Sequence, residues 1–197
     1  MRRAIRSRRR ALAPAIRAHA ARSFARIASA AHLLRPGMRV AAYLAFGGEA
    51  DAAQIIQLAQ RRSCELFLPA ITSRRRFQMR FVRCTVDTRL HRNAFGILEP
   101  RHAGNEVIAP LQLDLIFMPL LAFDDTGSRL GSGAGFYDRS LRHLHAERRW
   151  RRPKLIGIGY EFQRVTQLIP QDWDVPLDGV ITERCFRRLH PTRTGAC

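Results

Sequence analysis

The chain alternates short apolar runs with segments of helical period. Residues 38–46, MRVAAYLAF, are almost wholly apolar and predict a buried strand. Pro14 is tolerated in a first helical turn, so a helix is expected from about Ala13 to about Leu34, after a separate helical stretch before it. The Arg-Pro-Gly at 35–37 ends it. Asp51 is placed to cap a helix over 52–62, with Ile55, Ile56 and Leu58 on one side. Residues 65–70, ELFLPA, predict a short strand stopped by Pro69, and the alternating 77–83 predicts a half-buried one. NAFGILEP, 93–100, reads as a turn-rich segment. DLIFMP, 114–119, is the uninterrupted apolar run of a central parallel strand. A helix is expected from about Phe136, a strand over 154–160, and a last strand over 178–183. Strands alternating with helices predict an α/β fold, a layered helix/sheet/helix with a largely parallel central sheet. No repeat or low-complexity linker divides the chain, so one domain over residues 1–197 is expected. Ligands of such sheets sit beyond the carboxyl ends of strands. The glycine-rich stretch 127–141, GSRLGSGAGFYDRSL, occupies that position after the strand ending at Met118.

Charge changes this picture more than composition does. Apolar content of 46% and charged content of 25% are ordinary for a globular chain, whereas a net charge of +18 is not. Lys154 is the one lysine among 34 basic residues, a skew that reads as codon bias. Eleven of the arginines precede Glu49, the first acid. Such an arm attracts polyanions: nucleic acid, anionic membrane or a nucleoside triphosphate. The first 34 residues, rich in Arg and Ala and free of acid, leave a transit peptide and a basic helix both open. Cys64, Cys84, Cys185 and Cys197 show no C-x-x-C spacing, which points to a reducing, cytoplasmic setting. No apolar run reaches transmembrane length, so no membrane partner is expected. The histidines have no metal-ligand spacing.

The glycine stretch carries the candidate chemistry. Gly131, Gly133 and Gly135 at alternate positions let phosphate oxygens approach backbone N–H groups, and the helix that follows adds its positive end. Arg129 adds a forked cation. There is no G-K-[ST], so this is not a Walker loop, and the spacing is not that of the dinucleotide fingerprint. The glycines alone leave a phosphate cradle and a plain structural turn equally open.

DDTGSRLGSGAGFYDRSL, following the strand end MPLLAFD at 118–124, closely resembles the signature of the 5-formyltetrahydrofolate cyclo-ligase family. RRRALAP (8–14), YLAFGGEADAAQII (43–56), NAFGILEP (93–100) and IPQDWDVPLDGVITE (169–183) resemble further family segments in order. The resemblance places the basic N-terminus in the folded domain. It implies an enzyme, an ATP-dependent ligase that converts 5-formyltetrahydrofolate to 5,10-methenyltetrahydrofolate with Mg2+. It also implies an architecture similar to that of sugar-phosphate isomerases and CoA-transferases. Carried over residue by residue, ATP would meet Arg2, Arg3, Arg6, Arg129, Leu130, Gly131, Ser132, Gly133, Ala134, Gly135, Phe136 and Tyr137. The folate would meet Leu44, Glu49, Phe95, Ser132, Gly133, Ala134, Gly135 and Phe136. Arg129 and Tyr137 would be catalytic, and Asp138 and Asp174 would hold the metal. Arg8, Arg9 and Arg10 are expected to be surface charge. Without the family, Phe95 reads as core packing, Glu49 as a solvated loop acid and Asp138 as a helix-dipole carboxylate. Phe136 stands where many members have Tyr. The expected partners are the small-molecule substrates of a monomer. A nucleic-acid-binding role for the basic arm is the competing reading, although no RNA- or DNA-binding signature is present.

Overall fold

The computed structural model describes residues 1–73, 78–101, 106–131, 133, 135–146 and 153–189 of the chain. Its framework is an eight-stranded sheet. In chain order the strands of that sheet are β1 (Arg39–Ala41), β2 (Glu65–Ser73), β3 (Gln78–Arg83), β6 (Val107–Ile108), β7 (Leu115–Pro119), β10 (Lys154–Ile158), β11 (Gly179–Ile181) and β12 (Phe186–Arg188). Two small hairpins stand apart, β4 (Leu90–Arg92) with β5 (Leu98–Pro100) and β8 (Ala122–Phe123) with β9 (Arg129–Leu130). The helices are α1 (Arg2–Arg10), α2 (Pro14–Ala30), α3 (Ala53–Arg61) and α4 (Phe136–Ala146). Strand order across the sheet is β12-β11-β10-β7-β1-β2-β3-β6. The interior run from β11 to β2 is parallel, and β12, β3 and β6 join antiparallel at the two sides.

The apolar run of β7 explains the layering. Leu115 and Phe117 pack with Val40, Ile156 and Ile158 beneath α2 and α3. Ile116 and Met118 face the other way, with Ala41, Leu155, Val180 and Leu141 of α4. A strand buried on both faces between two parallel neighbours has no need of polar alternation. The layered helix/sheet/helix fold is therefore as the sequence predicts.

Several boundaries differ from the sequence expectation, each for a physical reason. α2 stops at Ala30, because His32 takes a left-handed backbone (φ 51°) and reverses the chain while Leu34 still enters the core. β1 ends at Ala41; Tyr43 is buried from the following loop, where its hydroxyl donates to Ala50 O at 2.6 Å. Pro69 does not end β2. Beyond Phe67 that strand has left β1 and pairs with β3 alone, so a missing N–H on the open side costs no ladder bond. The 178–183 strand is followed by one more, β12, too short to show a pattern.

α1 has nine residues, too few to be helical alone in water. Arg17 of α2 holds its end: the guanidinium donates to Arg9 O at 3.3 Å, Arg10 O at 2.8 Å and Leu12 O at 3.0 Å. Arg9 O and Arg10 O belong to the last carbonyls of α1, which have no i+4 amide partner in the helix, and Leu12 O lies in the connection to α2.

Candidate active site

A cavity opens at the carboxyl ends of β1 and β7 and along the middle of β2, where Leu44 and Glu49, then Pro119, then Leu68 and Pro69 reach it. Its walls are mostly apolar, with polar groups converging from separate elements. Glu49 sits in the loop after β1, and Phe46 N donates to its Oε2 at 3.2 Å. Burial pushes the Glu49 carboxyl above its ordinary range, opposed by the Phe46 amide and the Arg9 charge. Tyr137, in the first turn of α4, borders the same cavity. Burial, and then the Glu49 charge, push its hydroxyl up against the pull of Arg129, so it stays a neutral donor at physiological pH.

The β8–β9 hairpin positions Arg129. Asp124, fully buried, accepts from Thr126 N (3.0 Å), Ser128 N (3.1 Å) and Thr126 Oγ1 (2.6 Å) through Oδ1. Its Oδ2 accepts from Leu168 N at 2.8 Å. The Asp-Asp-Thr-Gly-Ser sequence is thus a turn wound around one carboxylate. Arg129 follows it, buried, donating to Asp138 Oδ1 of α4 while its Nε has no hydrogen-bond partner. The glycine loop runs over this guanidinium: a Cβ on Gly131 would stand 3.4 Å from Arg129 Nη1. Gly133 (φ 109°) and Gly135 (φ 68°) adopt backbone conformations that side-chain-bearing residues rarely take.

A second cavity lies on the outer side of the loop, bordered by Arg2, Leu130, Gly133, Asp138, Trp173 and Asp174. Arg129, Gly131, Gly135 and Asp138 line both cavities, so the two meet at the glycine loop. α1 closes this region. Arg2 Nη1 donates to Gly131 O, and the Arg2 and Arg6 guanidinium groups come within about 4 Å of a Cβ built on Gly133 (3.9 and 4.0 Å).

Residues 1–183 match the sequence profile of the 5-formyltetrahydrofolate cyclo-ligase family. The chain belongs to that family. It is 35% identical over 149 residues to the 5-formyltetrahydrofolate cyclo-ligase of Haemophilus influenzae, covering 75% of this chain and 76% of that one. The Escherichia coli K12 cyclo-ligase is 34% identical over 145 residues, 73% of this chain and 76% of its own. Among solved structures, the 5,10-methenyltetrahydrofolate synthetase of Aquifex aeolicus superposes with a TM-score of 0.74 at 29% identity, covering 100% of this chain and 93% of that one.

The cyclo-ligase expectations can now be located. Leu44, Glu49, Gly131, Gly135, Phe136, Tyr137 and Arg129 border the inner cavity. Leu130, Gly133, Asp138 and Asp174 border the outer one. Arg2 and Arg6 reach the loop, while Arg3, on another face of α1, is exposed. Ser132 and Ala134 lie outside the described residues. Phe95 is no core residue: it is 48% exposed and lies edge-on to Phe136, ring centroids 5.9 Å apart. Glu49 is not a solvated loop acid either.

Three groups escaped the sequence reading. Arg9 is 4% exposed rather than surface charge. Positions 2, 6 and 9 fall within about 60° of one another around a helix, and that face is turned inward; a helical projection of α1 would have shown it. Glu99 is buried at the inner cavity, accepting from Ile71 N at 3.1 Å and Asn93 Nδ2 at 3.0 Å, with His91 Nε2 at 3.5 Å. Glu99 and Asn93 both lie in the segment 93–100, read only as turn-rich, and the turn between β4 and β5 brings them together.

Proposed function

We propose that the chain catalyses the ATP-dependent conversion of 5-formyltetrahydrofolate to 5,10-methenyltetrahydrofolate, ADP and phosphate. The observation that carries this reading is the meeting of two unlike subsites in one cavity: a half-buried carboxylate, Glu49, and an arginine-backed glycine loop. The pterin presents adjacent N–H donors, which a carboxylate accepts in parallel, and its rings suit the apolar wall at Leu44 and Phe136. Phosphates suit the loop amides, the N-terminal end of α4, and the cations of Arg129, Arg2 and Arg6. The nucleoside would then occupy the outer cavity beside Trp173.

The formyl group on N5 is amide-like and a poor electrophile. Transfer of the γ-phosphoryl group to the formyl oxygen, with the bond to ADP breaking, turns that oxygen into a leaving group. N10 attacks the formyl carbon, loses its proton, and the C–O bond breaks to release phosphate. Phosphoryl transfer depends on positioning and charge stabilisation, which need no covalent nucleophile on the protein. Arg129 supplies charge at the transferring group, and Tyr137 supplies a neutral hydrogen-bond donor beside it. Asp138 and Asp174 border one cavity with the loop, and no group of three metal-ligating side chains is present among the described residues. Asp138 and Asp174 would hold Mg2+, a hard cation suited to one or two carboxylates beside phosphate. When bound, the ion neutralises phosphate charge.

The burial of Arg9 and the approach of Arg2 and Arg6 to the glycine loop support a small-molecule role for the arm over nucleic-acid binding. The eight-stranded sheet that runs through the described residues supports one domain over 1–197. Unpaired Cys64, Cys84 and Cys185 support a cytoplasmic setting. No described helix is long and apolar enough to cross a membrane. The test is methenyl-folate absorbance from purified protein with 5-formyltetrahydrofolate, ATP and Mg2+. Folded protein that makes no product with all three present overturns the reading.

A further inference from the structure

Arg9 is an unexpected residue to find inside. An arginine is seldom fully buried unless it is paired. The hydrogen bond it makes in the interior is long, Nη1 to Leu120 O at 3.3 Å, and its Nε is buried with no partner. Leu120 O is already served by Gln163 Nε2 at 2.9 Å, so this carbonyl does not need the guanidinium. Something else must compensate the charge. α1 packs its C-terminal turn against the loop that carries Glu49: a Cβ on Gly48 would lie 3.6 Å from the Arg10 backbone nitrogen. Glu49 is the carboxylate whose charge acts on Arg9, with the Tyr43 and Tyr160 hydroxyls further groups around it and Arg6 opposing.

We infer that Arg9 is a positioning residue for folate recognition: from α1 its buried guanidinium holds Glu49 as the ionised acceptor that the pterin N–H donors require. This rests on the assignment of Glu49 to the folate subsite. The groups facing Glu49 are Arg9 from α1, Tyr43 from the loop after β1, Tyr137 from α4, and the Phe46 amide of its own loop. Arg9 is the one full positive charge among them. Burial favours the neutral acid, and a protonated carboxyl would present a donor toward donors. Arg9 works against that burial, on the same side as the Phe46 amide. Because Arg2, Arg6 and Arg9 share one face, a single short helix then serves both the phosphate loop and the pterin end.

The test compares Arg9→Gln and Arg9→Lys with the unmodified chain. Carboxyl-labelled glutamate NMR follows the Glu49 titration without substrate, assigned through Glu49→Gln. Calorimetry follows 5-formyltetrahydrofolate and ATP binding between pH 6 and 9. Arg9→Gln should move the Glu49 titration upward and weaken folate binding most at the acid end of that range, by a factor that approaches about tenfold per unit moved once the pH lies below the titration. Affinity should recover as pH rises, Lys should restore most of it, and ATP binding should change little. An unmoved Glu49 titration, a pH-independent loss of folate, or Lys failing to rescue a folded protein overturns the inference. So does unfolding of both variants by circular dichroism, which would make Arg9 a structural staple. If the unmodified chain binds no folate while Arg9→Gln still moves Glu49, the folate assignment fails and the Arg9–Glu49 coupling stands.

Discussion

Asp124 is the point at which fold and phosphate subsite can be perturbed together. Replacing it by Ala removes the acceptor for Leu168 N, Thr126 N and Ser128 N and for the Thr126 hydroxyl. Leu168 is buried, so its orphaned amide costs about 1–3 kcal/mol. The two turn amides can regain water, yet each loses a bond to a carboxylate and contributes about 1–1.5 kcal/mol more. The total is about 3–6 kcal/mol. For a chain of this length that lowers Tm by about 6–24 °C. Asp124→Asn should fall between, since its amide can still accept at the turn but sets a donor against Leu168 N. Arg129 begins β9 directly after this turn, so the surviving folded protein should also show a raised KM for ATP. Calorimetric melting and initial-rate kinetics at 20 °C check both parts. A Tm within about 2 °C of the parent would refute the hydrogen-bond argument. A large Tm loss with unchanged ATP kinetics would refute the claim that the turn positions Arg129.

Arg129→Ala should lower kcat by about 100-fold or more, because its charge matters most as the phosphoryl group moves; a change confined to folate KM would move Arg129 out of the phosphate subsite. Glu49→Gln should weaken folate binding by about 1.5–3 kcal/mol and leave ATP affinity nearly intact, as read by calorimetry. Glu161 tests the electrostatics away from the site. Burial would raise its carboxyl, but the Thr182 hydroxyl and the bidentate Arg187 outweigh burial and hold it below its ordinary value of 4.5. A depressed carboxyl stabilises the fold above its unfolded pKa and loses that contribution as pH falls through the folded one. Urea unfolding of Glu161→Gln should therefore show a deficit of about 1–3 kcal/mol at pH 7 that shrinks below about pH 4; an equal deficit at pH 7 and pH 3 would be the wrong sign.

Where one local rule governed, the sequence was readable. β7 is a run of apolar residues because both its faces are covered, and the helix at Phe136 follows glycines whose backbone no other residue suits. Tyr43 misled because a buried loop residue looks like a strand residue when the loop lies under a helix. Pro69 misled because its effect depends on whether a neighbour pairs on the side where the N–H is missing, and only the sheet order decides that. The arginines of α1 were divided by adjacency, 2, 3 and 6 against 8, 9 and 10, whereas a helix sorts them by angle. Within the site, the glycine loop, Arg129, Asp138 and Glu49 were legible because they fall in quoted family segments. Glu99 lies in a quoted segment too, 93–100, but that segment reads only as turn-rich, and nothing near it in the chain shows that Ile71 will join His91 and Asn93 around the carboxylate.

Arg17 has a consequence for anyone altering this protein. By gripping the last carbonyls of α1 from the first full turn of α2, it bolts a short arm to a helix anchored in the core by Phe24 and Ala28. Positions 2 and 6 lie further along that arm, against the glycine loop, and can be exchanged to retune phosphate binding with little strain on the core. Position 17 is the bolt. A change there leaves every side chain of the cavity in the sequence, yet it loosens three cations in a single stroke.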